Sequence, residues 1–348
     1  MVKAVKRAEG HTGSKPHRAT LKLSIAVGDY DRTRPLADGT VRIDGVEPTF
    51  LLLSPEEIFF RAFRHADFDV CELSLSSFVL RTARGDNPYI GLPVFPSRAF
   101  RHACIVVRSD RDIETPTDLK GRRIGTPEYQ LTACVWARAL LEDQFGVKPT
   151  DIIWVRGGMD QPGRIEKLAF KPPRGVQIEN APRNRTLNDL LERGEIDGVI
   201  GPRLPAAFER NDPNVRWLFR DPARAAAAWY RRAGIFPIMH VVGIRRTLAE
   251  AQPWLPATLC KAFEQARATA LAHLADTSAY KVMLPFAAEQ LRAGRELLGG
   301  DFWSYGLTES NRKVLDTFLR HHHAQGLSPR RVAVEELFHP ASIETYRI

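Results

Sequence analysis

The run Leu21-Lys-Leu-Ser-Ile-Ala-Val27 alternates like a β-strand, and Gly28 breaks it into a charged loop, Asp29-Tyr-Asp-Arg-Thr-Arg34. The same order of apolar run, polar loop and helix recurs through two thirds of the chain. Phe68 to Leu73, Ala103 to Val107, Ile124, Ile152 to Val155, Ile196 to Ile200 and Pro237 to Ile244 read as further strands. Between them, Pro55 to Arg64 reads as a helix with Ser54 as N-cap, and Thr126 with Pro127 starts another that Gly146 ends after Phe145. Thr186-Leu-Asn-Asp resembles a capping box whose helix Gly194 closes, and Pro222 to Arg232 is a polar, Ala-rich helix. Beyond Leu248 the pattern is helical over Pro256 to Leu274, Tyr280 to Leu298 and Glu309 to Gln325. Strands alternating with helices, closed by a helical block, specify the α/β class. No internal repeat of about 20 to 50 residues interrupts this order.

At 348 residues the chain exceeds what one hydrophobic core usually serves, so two domains are expected. The net charge is +9, but residues 1–20 carry +4 of it, from Lys3, Lys6, Arg7, Lys15 and Arg18 against Glu9. The remaining arginines are dispersed among acids, which argues against nucleic acid and for a small anionic ligand. The N-terminal segment lacks an apolar core before Leu21, and no stretch approaches about 18 uncharged apolar residues, so a cytoplasmic protein with no membrane contact is expected. Cys71, Cys104, Cys134 and Cys260 are widely spaced in apolar surroundings and read as four buried thiols.

The segment from Phe95 to Tyr129 places cations and His102 beside a buried strand, then opens a helix at Thr126 whose N-terminus suits an anion. Ser74, Ser76 and Ser77 follow a strand with hydroxyls and backbone donors. His321-His-His323 does not read as a metal site, because consecutive helical residues point about 100° apart, and a solvated helix end is expected. Esterase, nucleotide-triphosphatase and dinucleotide-binding glycine motifs are absent.

Several strings, taken together and in order, resemble the 4,5-dihydroxyphthalate decarboxylase family. They include Asp29-Tyr-Asp-Arg-Thr-Arg34, Pro55-Glu-Glu-Ile-Phe-Phe60, Leu73-Ser-Leu-Ser-Ser77, Val94-Phe-Pro-Ser-Arg98, Phe100-Arg-His102, Pro127-Glu-Tyr-Gln130, Gly234-Ile-Phe-Pro-Ile-Met-His240 and Glu335-Glu-Leu-Phe338. The resemblance covers about residue 21 to the C-terminus. It implies a two-lobe type 2 periplasmic-binding-protein-like fold, each lobe a mixed sheet flanked by helices, joined by two crossing strands near Val106 to Arg108 and Val241 to Arg245. Lobe one is then 20–108 plus 240–348, lobe two 109–239, and residues 1–19 a flexible basic tail.

The implied reaction takes 4,5-dihydroxyphthalate to protocatechuate and CO2. Losing CO2 from an arene requires protonation of the carboxyl-bearing ring carbon, helped by electrons from the para hydroxyl, together with a clamp for the second carboxylate. His102 and His240, at the ends of the expected crossings, are the acid/base candidates. Asp29 or Glu128 is placed at a catechol hydroxyl, with Asp29 and Asp31 also able to orient neighbouring arginines. Arg32, Arg34, Arg98, Arg101 and Arg203 are carboxylate-clamp candidates. Thr126 and Tyr129 at the expected helix start, with Ser76 and Ser77, complete the binding set. Arg164, Glu166 and Lys167 are read as a solvated charged turn, with a lobe-two lid as the alternative. No cofactor is required by this chemistry; a divalent ion on Asp29, Asp31 or Glu128 with a histidine is the alternative. A binding protein that captures an aromatic dicarboxylate unchanged is the competing function, since the fold serves both. The C-terminal helices are compatible with a homo-oligomer interface and equally with a cover for lobe one.

Overall fold

The computed structural model describes residues 20–344, so the expected basic tail lies outside it. Eleven strands form two mixed sheets. The first has the order β2-β1-β3-β11-β4, built from β1 (Leu21–Val27), β2 (Val46–Leu52), β3 (Val70–Ser74), β4 (Tyr89–Arg98) and β11 (Ile238–Arg245). The second has the order β10-β5-β9-β6-β7-β8, from β5 (Ile105–Arg108), β6 (Arg123–Thr126), β7 (Ile153–Arg156), β8 (Gln177–Asn180), β9 (Gly198–Ile200) and β10 (Val215–Trp217). In the first sheet β1, β2 and β3 run parallel while β11 lies antiparallel between β3 and β4. In the second, β6, β7, β8 and β9 run parallel and β5 enters antiparallel to β9.

The chain passes between sheets at 99–104 and returns at 234–237. Both expected crossings are therefore displaced. Val106 to Arg108 pair with β9 and β10 inside the second sheet, and Val241 to Arg245 pair with β3 and β4 inside the first. Apolar β-branched runs are satisfied by ladder partners on both sides, which leaves the less regular flanks to cross.

Local chemistry sets the elements that matter for the site. Helix Pro55–His65 begins as expected, with the Ser54 hydroxyl accepting from the Glu57 amide and Pro at the first turn. The helix expected from Thr126 starts six residues later, as Thr132–Phe145. The reason lies in a buried carboxylate: Glu166 accepts from the Tyr129 amide at 2.7 Å and the Gln130 side chain at 2.9 Å, which holds 127–131 in a turn. Once begun, this helix is pinned on both sides. Trp136 Nε1 donates to the Ile238 carbonyl at 2.9 Å, and Arg138 Nε donates to Gln325 Oε1 at 2.7 Å beyond helix Glu309–Ala324.

A single apolar core runs from the first sheet, through helices Leu255–Ala275 and Glu309–Ala324, into helix Thr132–Phe145 and part of the second sheet. A smaller core with Val106, Leu187, Leu190 and Val199 fills the other face of the second sheet. Each buried aliphatic side chain contributes about 1.5–3 kcal/mol, so the shared core holds the two sheets in a defined relation. The expected helix from Tyr280 forms only as Ala287–Leu298. All four cysteines are buried and unbridged. The histidine triplet is not a solvated helix end: His321 and His322 are buried, on Asp143 and on Ser76 with Ser328, while His323 bonds the Ser328 carbonyl.

Candidate active site

A cleft of about 210 Å³ opens where both sheets present the carboxyl ends of their parallel strands. The first sheet supplies Ser74 at the end of β3, with Met239 and His240 near the start of β11. Helix Pro55–His65 adds Glu56 and Phe59. The second sheet supplies Leu131, Thr132 and Ala133 at a helix N-terminus, Lys167, and Pro202 with Arg203 after β9; Arg101 comes from the first crossing.

His240 is held from behind by a carboxylate. Val242 pairs with Glu72 across β11 and β3, and His240 pairs with Ser74, so the diagonal neighbours His240 and Glu72 share one face. Their contact is 2.5 Å from Nδ1 to Oε1. Glu72 is fully buried and also accepts from the Gly28 amide at 2.9 Å and the Tyr30 hydroxyl at 3.0 Å. Burial alone raises its carboxyl, but the His240 hydrogen bond and charge, with the Gly28 and Tyr30 donors, hold it below the ordinary carboxylate value. Gly28 is needed here, because a Cβ would lie 2.3 Å from the Tyr30 ring that folds back to reach Glu72. With Nδ1 occupied by Glu72, Nε2 is the nitrogen left for a ligand. The imidazole also meets the Phe59 ring edge-on at 4.8 Å between centroids.

Cations surround the opening. Arg101 donates from Nε to the Met239 sulfur at 3.1 Å and has no carboxylate partner among the described residues. Its burial lowers the guanidinium from the ordinary value, though an arginine keeps its charge at neutral pH. Arg203 is exposed, without an ion pair among the described residues. Lys167 donates to Glu128 Oε1 at 2.7 Å. The N-terminus of helix Thr132–Phe145 carries no side-chain cap, so its amides and dipole also favour an anion. The Thr132 hydroxyl lies 3.0 Å from that of Ser74.

Of the candidate residues named in the sequence, His240, Arg101, Arg203, Ser74 and Lys167 line this cleft, and the remaining candidates lie elsewhere. His102 is fully buried against Phe219 and Trp229, beside a separate groove of about 810 Å³. Neither of its ring nitrogens has a hydrogen-bond partner among the described residues, and burial lowers it to about 4. Asp29 and Arg34 form an exposed pair at 2.6 Å. Arg32 bonds Asp31 and the Pro96 carbonyl and stacks over Tyr30 and Trp303. Arg98 is buried with its donors on Phe236, Ser304 and Asn311, and its burial lowers it to about 10. Arg32 and Arg34 are paired with Asp31 and Asp29, the Arg98 Nη groups are bonded while its buried Nε has no partner among the described residues, and none of the three lines the cleft.

Glu128, 1 % exposed, takes Arg164, the Lys167 ammonium and the Lys167 amide, so it anchors a strap instead of facing a catechol. The strap is therefore no solvated turn: its Arg164 bridges Glu128 to Glu56 at 3.0 Å across the cleft, and its Glu166 is buried. Tyr129 stacks on Phe170, and Thr126 is buried against Cys134. Ser76 bonds His322 and Ser77 is buried in helix Leu75–Arg84; neither lines the cleft. The donors named for a divalent ion each have cationic partners, and among the described residues no group of three or more His, Cys, Asp or Glu side chains is placed to hold a metal. No helix of the described residues is long and apolar enough to cross a membrane.

Sequence reading missed Glu72, Glu56 and the role of Lys167. The available signal for Glu72 was an acid inside an apolar strand, Val70-Cys-Glu-Leu, where a charge is costly unless it is bonded.

Comparison with known proteins follows the same division of fold and chemistry. The NMT1/THI5 like family model matches residues 100–166, from the first crossing into the strap. The periplasmic aliphatic sulphonate binding protein of Escherichia coli superposes with a TM-score of 0.52 at 15 % identity, covering 91 % of this chain and 97 % of that one, a likeness of fold alone. The fold is thus that of type 2 periplasmic binding proteins. A 4,5-dihydroxyphthalate decarboxylase of Pseudomonas putida is 60 % identical over 61 % of this chain and 82 % of its own length. One of Comamonas testosteroni is 62 % identical over 94 % of this chain and 99 % of its own. At that identity over nearly the whole of both sequences, the chain belongs to the 4,5-dihydroxyphthalate decarboxylase family.

Proposed function

We propose that the His240 cleft performs the carboxy-lyase reaction for which the family is named, converting 4,5-dihydroxyphthalate to protocatechuate and CO2. The two sheets act as the cores of two lobes, with the diacid held between them. The observation that carries the reading is a carboxylate-held imidazole in a cleft that also holds a guanidinium with no carboxylate partner among the described residues.

The division of labour follows from charge. Arg101, Arg203, Lys167 and the helix N-terminus at Thr132 balance two adjacent carboxylates. Protonated His240 gives its Nε2 proton to the ring carbon bearing the departing carboxylate. The C–C bond then breaks, its electron pair restores the aromatic ring, and CO2 leaves. Solvent returns a proton to His240, so each turnover consumes one proton. Glu72 acts through His240 as a positioning residue, stabilising the imidazolium and fixing which nitrogen faces the ring. The strap, tied by Arg164 to Glu56, limits water in the cleft and strengthens these interactions.

The competing reading, a capture protein of the same fold, predicts binding without turnover. Incubating the purified chain with 4,5-dihydroxyphthalate separates them. One CO2 and one protocatechuate per substrate consumed is the expected result, and stoichiometric binding with no CO2 overturns the catalytic reading.

A further inference from the structure

The cations of the cleft do not explain how a dihydroxylated diacid is told from a bare one. Phthalate carries the same two carboxylates, so Arg101, Lys167, Arg203 and an open helix N-terminus hold it equally well. Discrimination requires an acceptor for the hydroxyl hydrogens, which only the hydroxylated ring possesses.

Among the described residues Glu56 is the single acidic side chain lining this cleft. Its Oε1 receives Arg164 at 3.0 Å, and Oε2 has no hydrogen-bond partner among the described residues. Burial raises its carboxyl, but the Arg164 hydrogen bond and charge, with Lys167 and Arg203 nearby, hold it below the ordinary value. It is therefore an ionised, acceptor-only group at neutral pH. Its position on helix Pro55–His65 is one turn before Phe59, on the same face, and Phe59 touches the His240 ring. A flat ring lying along Phe59 with its carboxyl end toward His240 brings its opposite edge toward Glu56. On a 4,5-dihydroxyphthalate ring that opposite edge carries the hydroxyls, each para to a carboxyl.

Resting on the catalytic reading above, we infer that Glu56 is a specificity residue that accepts a hydrogen bond from the catechol edge of the substrate and repels the unhydroxylated diacid. The bond to a carboxylate also enriches the hydroxyl oxygen in electron density, which raises the basicity of the para ring carbon. A helix-first-turn acid that serves only to hold Arg164 is the rival role.

Titration calorimetry of the full chain in a His240→Ala background, where turnover is suppressed, with phthalate and with 4,5-dihydroxyphthalate in competition with it, gives a discrimination ratio read from binding alone. Replacement by Glu56→Gln should narrow this ratio by about tenfold or more, with phthalate binding strengthened as the repulsion disappears. Arg164→Ala, which releases the strap and leaves Glu56 charged, should weaken both ligands while keeping the ratio. A Glu56→Gln ratio equal to wild type, or an Arg164→Ala ratio shifted as far as that of Glu56→Gln, overturns the inference. Because binding is read directly, absence of CO2 release would refute the catalytic reading without deciding this one.

Discussion

Two histidines flank the crossings between the sheets, and their surroundings differ in one respect that decides their chemistry. His240 sits among Phe59, Ser74 and Met239, with a buried carboxylate on Nδ1 and an anion-seeking cleft on its other side. His102 sits among Phe219, Trp229 and Phe100, with no hydrogen-bond partner on either nitrogen among the described residues. Both are aromatic pockets. Only the first supplies negative charge to support an imidazolium, and burial in the second drives its imidazole to the neutral form. On the proposed reading, position beside an inter-lobe crossing is not enough for a proton donor; a bonded carboxylate and an open face are needed as well.

The comparison is broken most sharply at His240. His240→Ala should lower kcat by about 10²–10⁴, the usual contribution of a positioned acid or base, while calorimetry still records substrate binding. Full turnover in this variant would end the distinction. The next effect belongs to Glu72: Glu72→Gln should reduce kcat by about two orders of magnitude with KM little changed, and Glu72→Asp should recover part of it. A merely structural acid would instead lower the folded fraction and leave kcat per folded molecule intact. Arg101→Ala should cost at least about thirtyfold in kcat/KM, the lower end of the 2–5 kcal/mol expected when one member of a buried charge pair is lost.

His102 gives the smallest effect on activity and a separate signature on stability. The folded imidazole, at about 4, refuses a proton that the unfolded chain accepts below about 6.5. Its stabilising contribution is thus complete above about pH 6.5 and is lost as pH falls toward 4, by at most about 3 kcal/mol. His102→Phe should leave turnover at pH 7 unchanged and flatten the decline of Tm between pH 6.5 and 4. Some decline remains from His322, which burial lowers to about 3. Loss of turnover in His102→Phe would restore it as a catalytic candidate.

The two kinds of strand explain how much of this was legible in the sequence. The interior strands β1, β3, β5, β6, β7, β9 and β11 carry apolar runs that announce themselves, because both edges and at least one face are buried. The strands the pattern did not reveal, β2, β4, β8 and β10, are the four edges. Pro48 in β2 and Pro93 with Pro96 in β4 read as breaks, yet an edge strand tolerates a missing donor. β8 is polar and β10 only three residues long.

The site divides along a similar line. A histidine on a buried strand was visible as a candidate, whereas its supporting acid came from a partner strand 168 residues away. Arginines were visible as a class, but which of them stayed without a carboxylate partner among the described residues depended on long-range neighbours. Arg98 finds Asn311, 213 residues along the chain, while the Arg101 side chain, three residues after Arg98, bonds the Met239 sulfur and no carboxylate among the described residues. The displaced helix start had the same origin, since nothing near Thr126 announces that Glu166 will claim the next amides.

The most direct test is the crystal structure of Glu72→Gln, slowed but intact, soaked with 4,5-dihydroxyphthalate. The account predicts one diacid in the cleft, its carboxylates on Arg101 and the helix N-terminus at Thr132, its ring on Phe59 and a carboxyl-bearing ring carbon facing His240 Nε2. A diacid seated instead in the groove beside His102, with the His240 cleft empty, would contradict it.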